Sequence, residues 1–334
     1  MKLATYNVEW FSNLFDDDGQ LYDDGGWSGR RDVTRAEQTA ALGHVFQAMD
    51  ADGVMVIEGP DSHRRRDGVA ALEGFAHRFG LRARKAVIGF VNDTQQEILF
   101  MYDPDVLTAQ HDPRAEEGAP RFDGTFKMDL DVDAAPEVIR WSKPPLELKV
   151  THKSGDVFRL IGVHAKSKAP YGVRGKAAIM RLSIENRRKQ MAQCVWLRKR
   201  VEAHLAARDD ILVMGDFNDG PGLDEYEKLF GRSSIEIVLG EGDGEPLFDP
   251  HARLILTQRI GAAPVTARFK IPPEGRYLSA LLDYIMVSEG LRKRDPKWTI
   301  LHPFDDPDCY ADKDMCAALL TASDHFPVTI DMAM

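Results

Sequence analysis

Polar residues that can bind metal ions or phosphate stand at or beside the ends of apolar, strand-like segments along the whole chain. They are carboxylates, amides and imidazoles: Asn7, Glu9, Glu58, His164, Asp216, Asn218, Asp283, Asp324 and His325. Charged groups beside buried strands are costly unless they are paired or bind a metal. Their recurrence at strand ends therefore indicates one shared polar site at an edge of the β-sheets. Oxygen ligands without thiolates favour a hard cation, so we expect Mg²⁺ or Mn²⁺ as the cofactor.

The segments that carry these residues alternate between strand-like and helix-like patterns. Strands are predicted at 2–9, 53–57, 84–90, 97–102, 145–151, 157–164, 211–214, 281–287 and 326–332. The run 53–57 is continuously apolar, as in a strand that is buried on both faces. A capping box from Thr34 to Glu37 predicts the start of one helix, and a second, long helix is predicted at about 175–206. No repeat or low-complexity linker divides the chain, so we expect a single domain over residues 1–334.

Four stretches lack a clear pattern and are predicted to be irregular: 11–32, 111–137, 240–278 and 302–322. Two of them contain clusters of aspartates, which lack the ligand spacing of a calcium loop and are interpreted as solvated surface. Long loops in a compact domain are often functional. The sequence assigns no specific role to these four.

The composition excludes several classes of protein. The chain has 334 residues, with 43 Lys plus Arg against 53 Asp plus Glu, which gives a net charge of −10. An excess of acidic over basic residues argues against tight, non-specific binding to duplex DNA, because phosphate contacts need basic side chains. No run of 18 apolar residues predicts a membrane span, the N-terminus lacks a signal-peptide core, and three cysteines are too few for a disulfide framework. We expect a cytoplasmic protein, with no membrane association and no protein partner indicated.

Six short motifs, in order along the chain, resemble those of the endonuclease/exonuclease/phosphatase superfamily. They lie at 4–9, 56–58, 162–164, 215–219, 282–285 and 323–328, and include Gly-Asp-Phe-Asn and Ser-Asp-His. One departure is Ile57, which stands where the family commonly has Gln before the metal-binding Glu. The resemblance implies an α/β fold, a four-layer α/β sandwich with two facing mixed β-sheets and outer helices.

The resemblance also implies a role for each polar residue. Glu58 is the principal metal ligand, with Asn7, Glu9 and Asp324 in or near the coordination shell, although Glu9 has the alternative of only capping its strand. Asp216 positions and deprotonates the attacking water, and Asn218 holds that water or the phosphoryl oxygen. His164 and His325 donate hydrogen bonds to non-bridging oxygens, and Asp283 fixes the orientation of His325. Such preplaced donors stabilise the charge that develops in phosphoryl transfer.

The substrate is less well defined by the sequence. Lys166 and Lys168 follow His164 closely and Arg181 extends the positive strip, so we predict that all three bind substrate phosphate; ordinary loop solvation is the alternative. Basic and acidic segments together favour a short or single-stranded nucleic acid over a long duplex. Aromatic residues near the motifs either stack bases or anchor the core and loops: Trp10, Phe11, Trp27, Tyr171, Phe217, Phe269 and Tyr277.

Three functions remain open from the sequence. The first is a metal-dependent nuclease or phosphodiesterase that acts on DNA or RNA. The second is a phosphomonoesterase or a phospholipase-like phosphatase, whose lipid version is disfavoured because no basic amphipathic helix is evident. The third is a catalytically idle binding module, which the complete set of polar motif residues argues against.

Overall fold

Two mixed β-sheets pack face to face and helices cover their outer faces. The computed structural model describes residues 1–92, 94–128, 137–170, 172–221, 231–242, 244–257, 262–271 and 275–334. The strands are β1 (Lys2–Asn7), β2 (Gly53–Gly59), β3 (Lys85–Ile88), β4 (Glu97–Tyr102), β5 (Leu107–His111), β6 (Phe126–Met128), β7 (Glu137–Ile139), β8 (Leu146–His152), β9 (Val157–His164), β10 (Ile211–Asp216), β11 (Ala267–Ile271), β12 (Arg276–Ala280), β13 (Asp283–Val287), β14 (Lys297–Ile300) and β15 (Val328–Asp331).

The larger sheet has the order β14-β15-β1-β2-β4-β3, and the facing sheet has the order β13-β10-β9-β8-β5. Two further pairs, β6–β7 and β11–β12, form small antiparallel sheets. The helices are α1 (Arg35–Met49), α2 (Gly68–Phe79), α3 (Lys176–Ala206), α4 (Ser234–Leu239), α5 (Pro250–Thr257), α6 (Glu289–Arg292), α7 (Pro307–Ala311) and α8 (Lys313–Ala322). Within the described ranges, none of these helices combines the length and the apolarity that a bilayer crossing requires.

Side chains of the central strands alternate between two cores. In β2, Val54 and Val56 pack with the outer helices α1, α2 and α8, whereas Met55 and Ile57 lie between the two sheets. Strand β10 repeats this arrangement, because its even-numbered residues join the core between the sheets and its odd-numbered residues pack beneath α3. Successive residues of a strand point to opposite faces. Burial on both faces explains the apolar runs in the sequence and confirms the predicted layering.

All four stretches that were predicted to be irregular contain some regular structure. Residues 302–322 contain α7 and α8, and 240–278 contain α5, β11 and the beginning of β12. Residues 111–137 contain β6 and the first residue of β7, and 11–32 contain a short 3₁₀-helix at Phe11–Leu14. The aspartates of 302–322 are mostly exposed, as expected of solvated surface, but two of them are also helix N-caps, and the prediction of irregular structure did not take this signal into account. Asp306 accepts hydrogen bonds from Asp308 N and Cys309 N, at 3.1 and 2.9 Å. Asp312 likewise accepts from the second and third residues after it, both at 3.0 Å.

The pairing of the strands gathers the polar motif residues at one edge. β1 runs parallel to β2, and β9 runs parallel to β10, so their carboxyl ends lie together. Within the second sheet, Asp216 is in register with His164 on one side and with Asp283 on the other. Asn7 pairs with Ile57 at the corresponding end of the first sheet. The alternation along each strand directs these four polar residues toward the space between the sheets.

Candidate active site

Ser323 joins the end of β1 to the start of the last strand. Its hydroxyl donates to Asn7 O at 2.8 Å and accepts from Glu9 N and His325 N, both at 3.2 Å. One buried side chain therefore joins the first and the last of the six motif segments. This contact gives a structural reason for the Ser in the Ser-Asp-His motif.

Glu58 reaches the site because the strand that carries it is irregular. Regular alternation would direct Glu58 to the outer helices, as it directs Val56. Instead, Glu58 has φ +62, and the register between β2 and β4 shifts between Ile57 and Gly59. Such bulges redirect side chains and are frequent beside active sites. The result is that Glu58 Oε1 lies 3.8 Å from His164 Nε2, across the space between the sheets.

The Gly-Asp-Phe-Asn segment forms a tight turn around the Asp216 carboxylate. Asn218 donates to this carboxylate from its backbone N, at 2.7 Å, and from Nδ2, at 3.0 Å. Asn7 Nδ2 donates to the same Oδ2 at 3.0 Å. The preceding Gly215 has φ +137, and a Cβ there would lie 2.0 Å from Val163 O. Only glycine allows this close approach of the two strands.

Asp283 and His325 form a buried pair beside Asp216. His325 Nδ1 lies 2.7 Å from Asp283 Oδ2, and both side chains are almost fully buried. Burial favours the neutral imidazole, but the neighbouring carboxylates, above all Asp283, raise the pKa of His325 well above its usual value. We therefore assign His325 as an imidazolium. Ligand atoms of Asp216, Asp283 and His325 all lie within 4.8 Å of one another.

His164 has the opposite electrostatic environment. Burial and the Lys143 ammonium hold the pKa of His164 well below its usual value. Lys143 Nζ lies 3.2 Å from both ring nitrogens of His164, and burial lowers the pKa of Lys143 despite the nearby carboxylates of Glu58 and Asp216. Lys143 was not among the site residues predicted from the sequence. The available signal is a lysine directly before two prolines that precede β8, where the fixed φ of proline favours extended backbone leading into the strand.

The carboxylates expected to bind the cation lie close enough to affect one another. Burial, together with the charge of Asp324, raises the pKa of Glu58 to about 7 and that of Glu9 to about 7. Arg30 opposes the shift at Glu9, because its guanidinium hydrogen-bonds to the Glu9 carboxylate. Arg30 is a second site residue that was not predicted from the sequence. The burial of like charges provides a reason for a bound cation here.

Three basic residues were predicted to bind substrate phosphate, and each of them has a different environment in the structure. Lys168 Nζ forms an ion pair with the buried Asp219 carboxylate at 2.7 Å. Lys166 is half-buried, and its backbone N donates to Gln193 of α3 at 3.0 Å. Arg181 is exposed near the beginning of α3. Their predicted contacts with substrate phosphate stay predictions.

The aromatic residues near the motifs fall into two groups. Phe11 and Phe217 are fully buried, and Tyr171 lies outside the described residues. Phe269 packs edge-on against His325, with ring centroids 5.5 Å apart. The others are exposed: Trp10, Trp27 and Tyr277. Only part of this set is therefore available for contacts with a substrate.

Comparisons with known proteins bear on the family and the fold. The sequence model of the Endonuclease/Exonuclease/phosphatase family matches residues 4–325. Truncated TDP2 from Caenorhabditis elegans has 14% identity and a TM-score of 0.51, and the alignment covers 98% of this chain and 96% of that chain. An AP endonuclease from Archaeoglobus fulgidus has 12% identity and a TM-score of 0.50, with 100% of both chains covered. At these identities the structural likeness shows the fold alone. No curated protein matches the sequence.

Proposed function

The chain belongs to the endonuclease/exonuclease/phosphatase family, and from this premise we propose that it is a divalent-metal-dependent phosphodiesterase that cleaves DNA or RNA. The observation that carries the proposal is the convergence of His164, Asp216, Asn218 and His325 on the edge where Glu58 enters between the two sheets. Carboxylate, amide and imidazole groups of this kind serve to activate water and to stabilise a phosphoryl group.

The residues present fit a hard divalent cation. Asn7 Oδ1 is buried and has no hydrogen-bond partner among the residues that the structure describes. A buried acceptor without a partner is costly, and a cation would satisfy it. Glu58 and Asn7 would hold the ion, with Glu9 and Asp324 beside them, and this all-oxygen set suits Mg²⁺ or Mn²⁺. When bound, such an ion neutralises phosphate charge and makes phosphorus easier to attack.

Asp216 is positioned to accept the proton of the attacking water. Three amide donors from Asn7 and Asn218 hold its carboxylate in one orientation. Burial raises the pKa of Asp216 to about 6, although the charge of His325 opposes this shift. A general base works best when its pKa lies near the pH of the reaction. Asp216 is therefore held in one orientation and has a pKa that suits the acceptance of a proton from water.

The donors for the phosphoryl oxygens come from both sheets. His325 presents a charged imidazole, which Asp283 orients from behind. His164 presents a neutral imidazole, with the Lys143 ammonium beside it. Donors fixed before the reaction stabilise developing negative charge without reorganisation. The loss of one such donor costs about 3 kcal/mol, or roughly a hundredfold in kcat.

An exposed stack beside His325 supports nucleic acid as the substrate. The Arg268 guanidinium lies 4.2 Å from the ring centroid of Tyr277 and 5.0 Å from that of Phe304. Both rings are exposed, and Arg268 N donates to Asp324 O at 2.7 Å, which ties the stack to the site. Aromatic and guanidinium planes of this kind stack unpaired bases. Together with the net negative charge of the chain, this favours short or single-stranded nucleic acid.

The first experiment tests metal-dependent ester hydrolysis. We expect hydrolysis of bis(p-nitrophenyl) phosphate with Mg²⁺ or Mn²⁺, complete loss of activity with EDTA, and recovery when the metal is restored. Glu58→Gln should remove activity while the protein stays folded. Activity that persists in EDTA would contradict the proposed role of Glu58.

The second experiment separates a nuclease from a phosphomonoesterase. A labelled single-stranded oligonucleotide is compared with p-nitrophenyl phosphate, and turnover of the monoester alone would reject the nuclease. Tyr277→Ala should raise KM for the oligonucleotide about tenfold, the equivalent of about 1.4 kcal/mol of base stacking. Tyr310→Ala is the matched control, because Tyr310 is an exposed tyrosine on α7.

A further inference from the structure

Arg30 places a positive charge beside the expected metal ligands. Its guanidinium hydrogen-bonds to the Glu9 carboxylate through Nη1, and its Nη2 donates to Leu320 O at 3.1 Å. Only 12% of the Arg30 side chain and 26% of the Glu9 side chain are exposed. Exposed ion pairs of long side chains are often weak and variable. This pair is mostly buried, and a second hydrogen bond fixes the arginine.

The loop before α1 is built to hold Arg30 in this position. Ser28 is fully buried, its Oγ donates to Val33 O at 3.0 Å, and Arg30 N donates to Ser28 Oγ at 3.2 Å. Asn13 Nδ2 donates to Ser28 O at 3.0 Å. Gly29 has φ +104, and a Cβ there would lie 2.6 Å from Asn13 Nδ2. This tight, hydrogen-bonded turn therefore places Arg30 beside Glu9.

The position of Arg30 bears on how many metal ions the site can hold. Glu58 and the orphaned Asn7 Oδ1 remain available for one cation. Glu9 is the carboxylate beside Asp324 at which a second cation could bind on this side of the site, but its oxygen already accepts from a guanidinium, which cannot lose its proton. A second divalent ion at Glu9 would have to displace this buried arginine against charge repulsion.

We propose that Arg30 supplies the positive charge on the Glu9 side of the site, so that the enzyme binds one divalent cation, at Glu58. Arg30 is then a positioning residue, which holds Glu9 away from metal coordination. This inference rests on the proposed function, because it presumes that Glu58 binds a metal.

The test is the number of Mn²⁺ ions bound at equilibrium, measured by calorimetry and by the electron paramagnetic resonance signal of free Mn²⁺. The wild-type protein should bind one ion. Arg30→Met should bind two, and Arg30→Met combined with Glu9→Gln should return to one. Arg31→Met is the matched control and should bind one ion, because Arg31 is the exposed neighbour of Arg30.

The outcomes distinguish this inference from its premise. Two ions in the wild-type protein, or one ion in a folded Arg30→Met variant, would overturn the role of Arg30. If Arg30→Met does not fold, Glu9→Gln alone decides, because it should still bind one ion, and loss of that ion would show that Glu9 is itself the ligand. No Mn²⁺ binding by the wild-type protein would refute the metal dependence in the proposed function.

Discussion

Replacement of Asp283 by asparagine tests whether one buried carboxylate keeps His325 charged. The change is nearly isosteric and removes only the negative charge behind the imidazole, 2.7 Å from Nδ1. Burial lowers the pKa of His325, and Asp283 is the strongest of the charges that raise it. Without this charge, only the weaker effects of Asp216 and Asp324 oppose burial. We therefore expect a lower pKa for His325, and a larger neutral fraction near pH 7, in Asp283→Asn.

The expected loss follows from this change of charge. A neutral imidazole donates a weaker hydrogen bond to a phosphoryl oxygen than an imidazolium does. The loss of one preorganised donor lowers kcat about 100- to 1000-fold, or roughly 3–4 kcal/mol. We therefore expect kcat to fall by at least two orders of magnitude, with little change in KM.

The assay is hydrolysis of bis(p-nitrophenyl) phosphate at saturating Mn²⁺ by Asp283→Asn, His325→Ala and the double variant. If Asp283 acts only through His325, the double variant should be no slower than His325→Ala, because residues that act as a unit are not additive. Thermal unfolding of each variant checks that the fold is intact. Additive losses, or full activity in Asp283→Asn, would refute the reasoning.

Three other perturbations test separate parts of the site. Gly215→Ala should destabilise the fold by about 4 kcal/mol or more in chemical denaturation, because its Cβ would lie 2.0 Å from Val163 O; near-normal stability would contradict this strand approach. Burial raises the pKa of Asp216 to about 6, and the base must be deprotonated, so kcat/KM should fall about tenfold per pH unit below about 6. A flat profile down to pH 5 would exclude Asp216 as the base. Lys143→Met should lower kcat about 100-fold, whereas Lys143→Arg should retain most of the activity. Equal kcat values for Lys143→Met and the wild-type protein would show that Lys143 has no role in the reaction.

Much of the fold could be predicted from the sequence because buried strands and helix caps leave local signals. The apolar run that became β2 and the capping box at Thr34 required no tertiary information. The polar residues at strand ends were also informative, because a sheet places the ends of parallel strands at one edge. Alternation along β9 and β10 then directs His164 and Asp216 to the same space.

The parts that the sequence did not reveal depend on backbone irregularity or on distant contacts. Regular alternation would have directed Glu58 away from the site, and only the bulge in β2 brings it in. Lys143 and Arg30 lie outside the motifs, so their proximity to His164 and Glu9 becomes visible only after folding. The helices of 302–322 were not predicted because exposed aspartates occur both at helix caps and in solvated loops.

Two histidines at one sheet edge differ in charge because each faces a different residue. Burial lowers the pKa of both imidazoles. His325 faces the Asp283 carboxylate, which overcomes burial and raises its pKa, whereas His164 faces the Lys143 ammonium, which acts in the same direction as burial and lowers its pKa. A phosphate between them would meet a charged donor from one side and a neutral donor from the other. Loss of Asp283 removes a charge from His325, and loss of Lys143 makes it easier for His164 to gain one. The two substitutions should therefore shift the pH dependence of the reaction in different ways, which distinguishes an electrostatic role for these partners from a purely structural one.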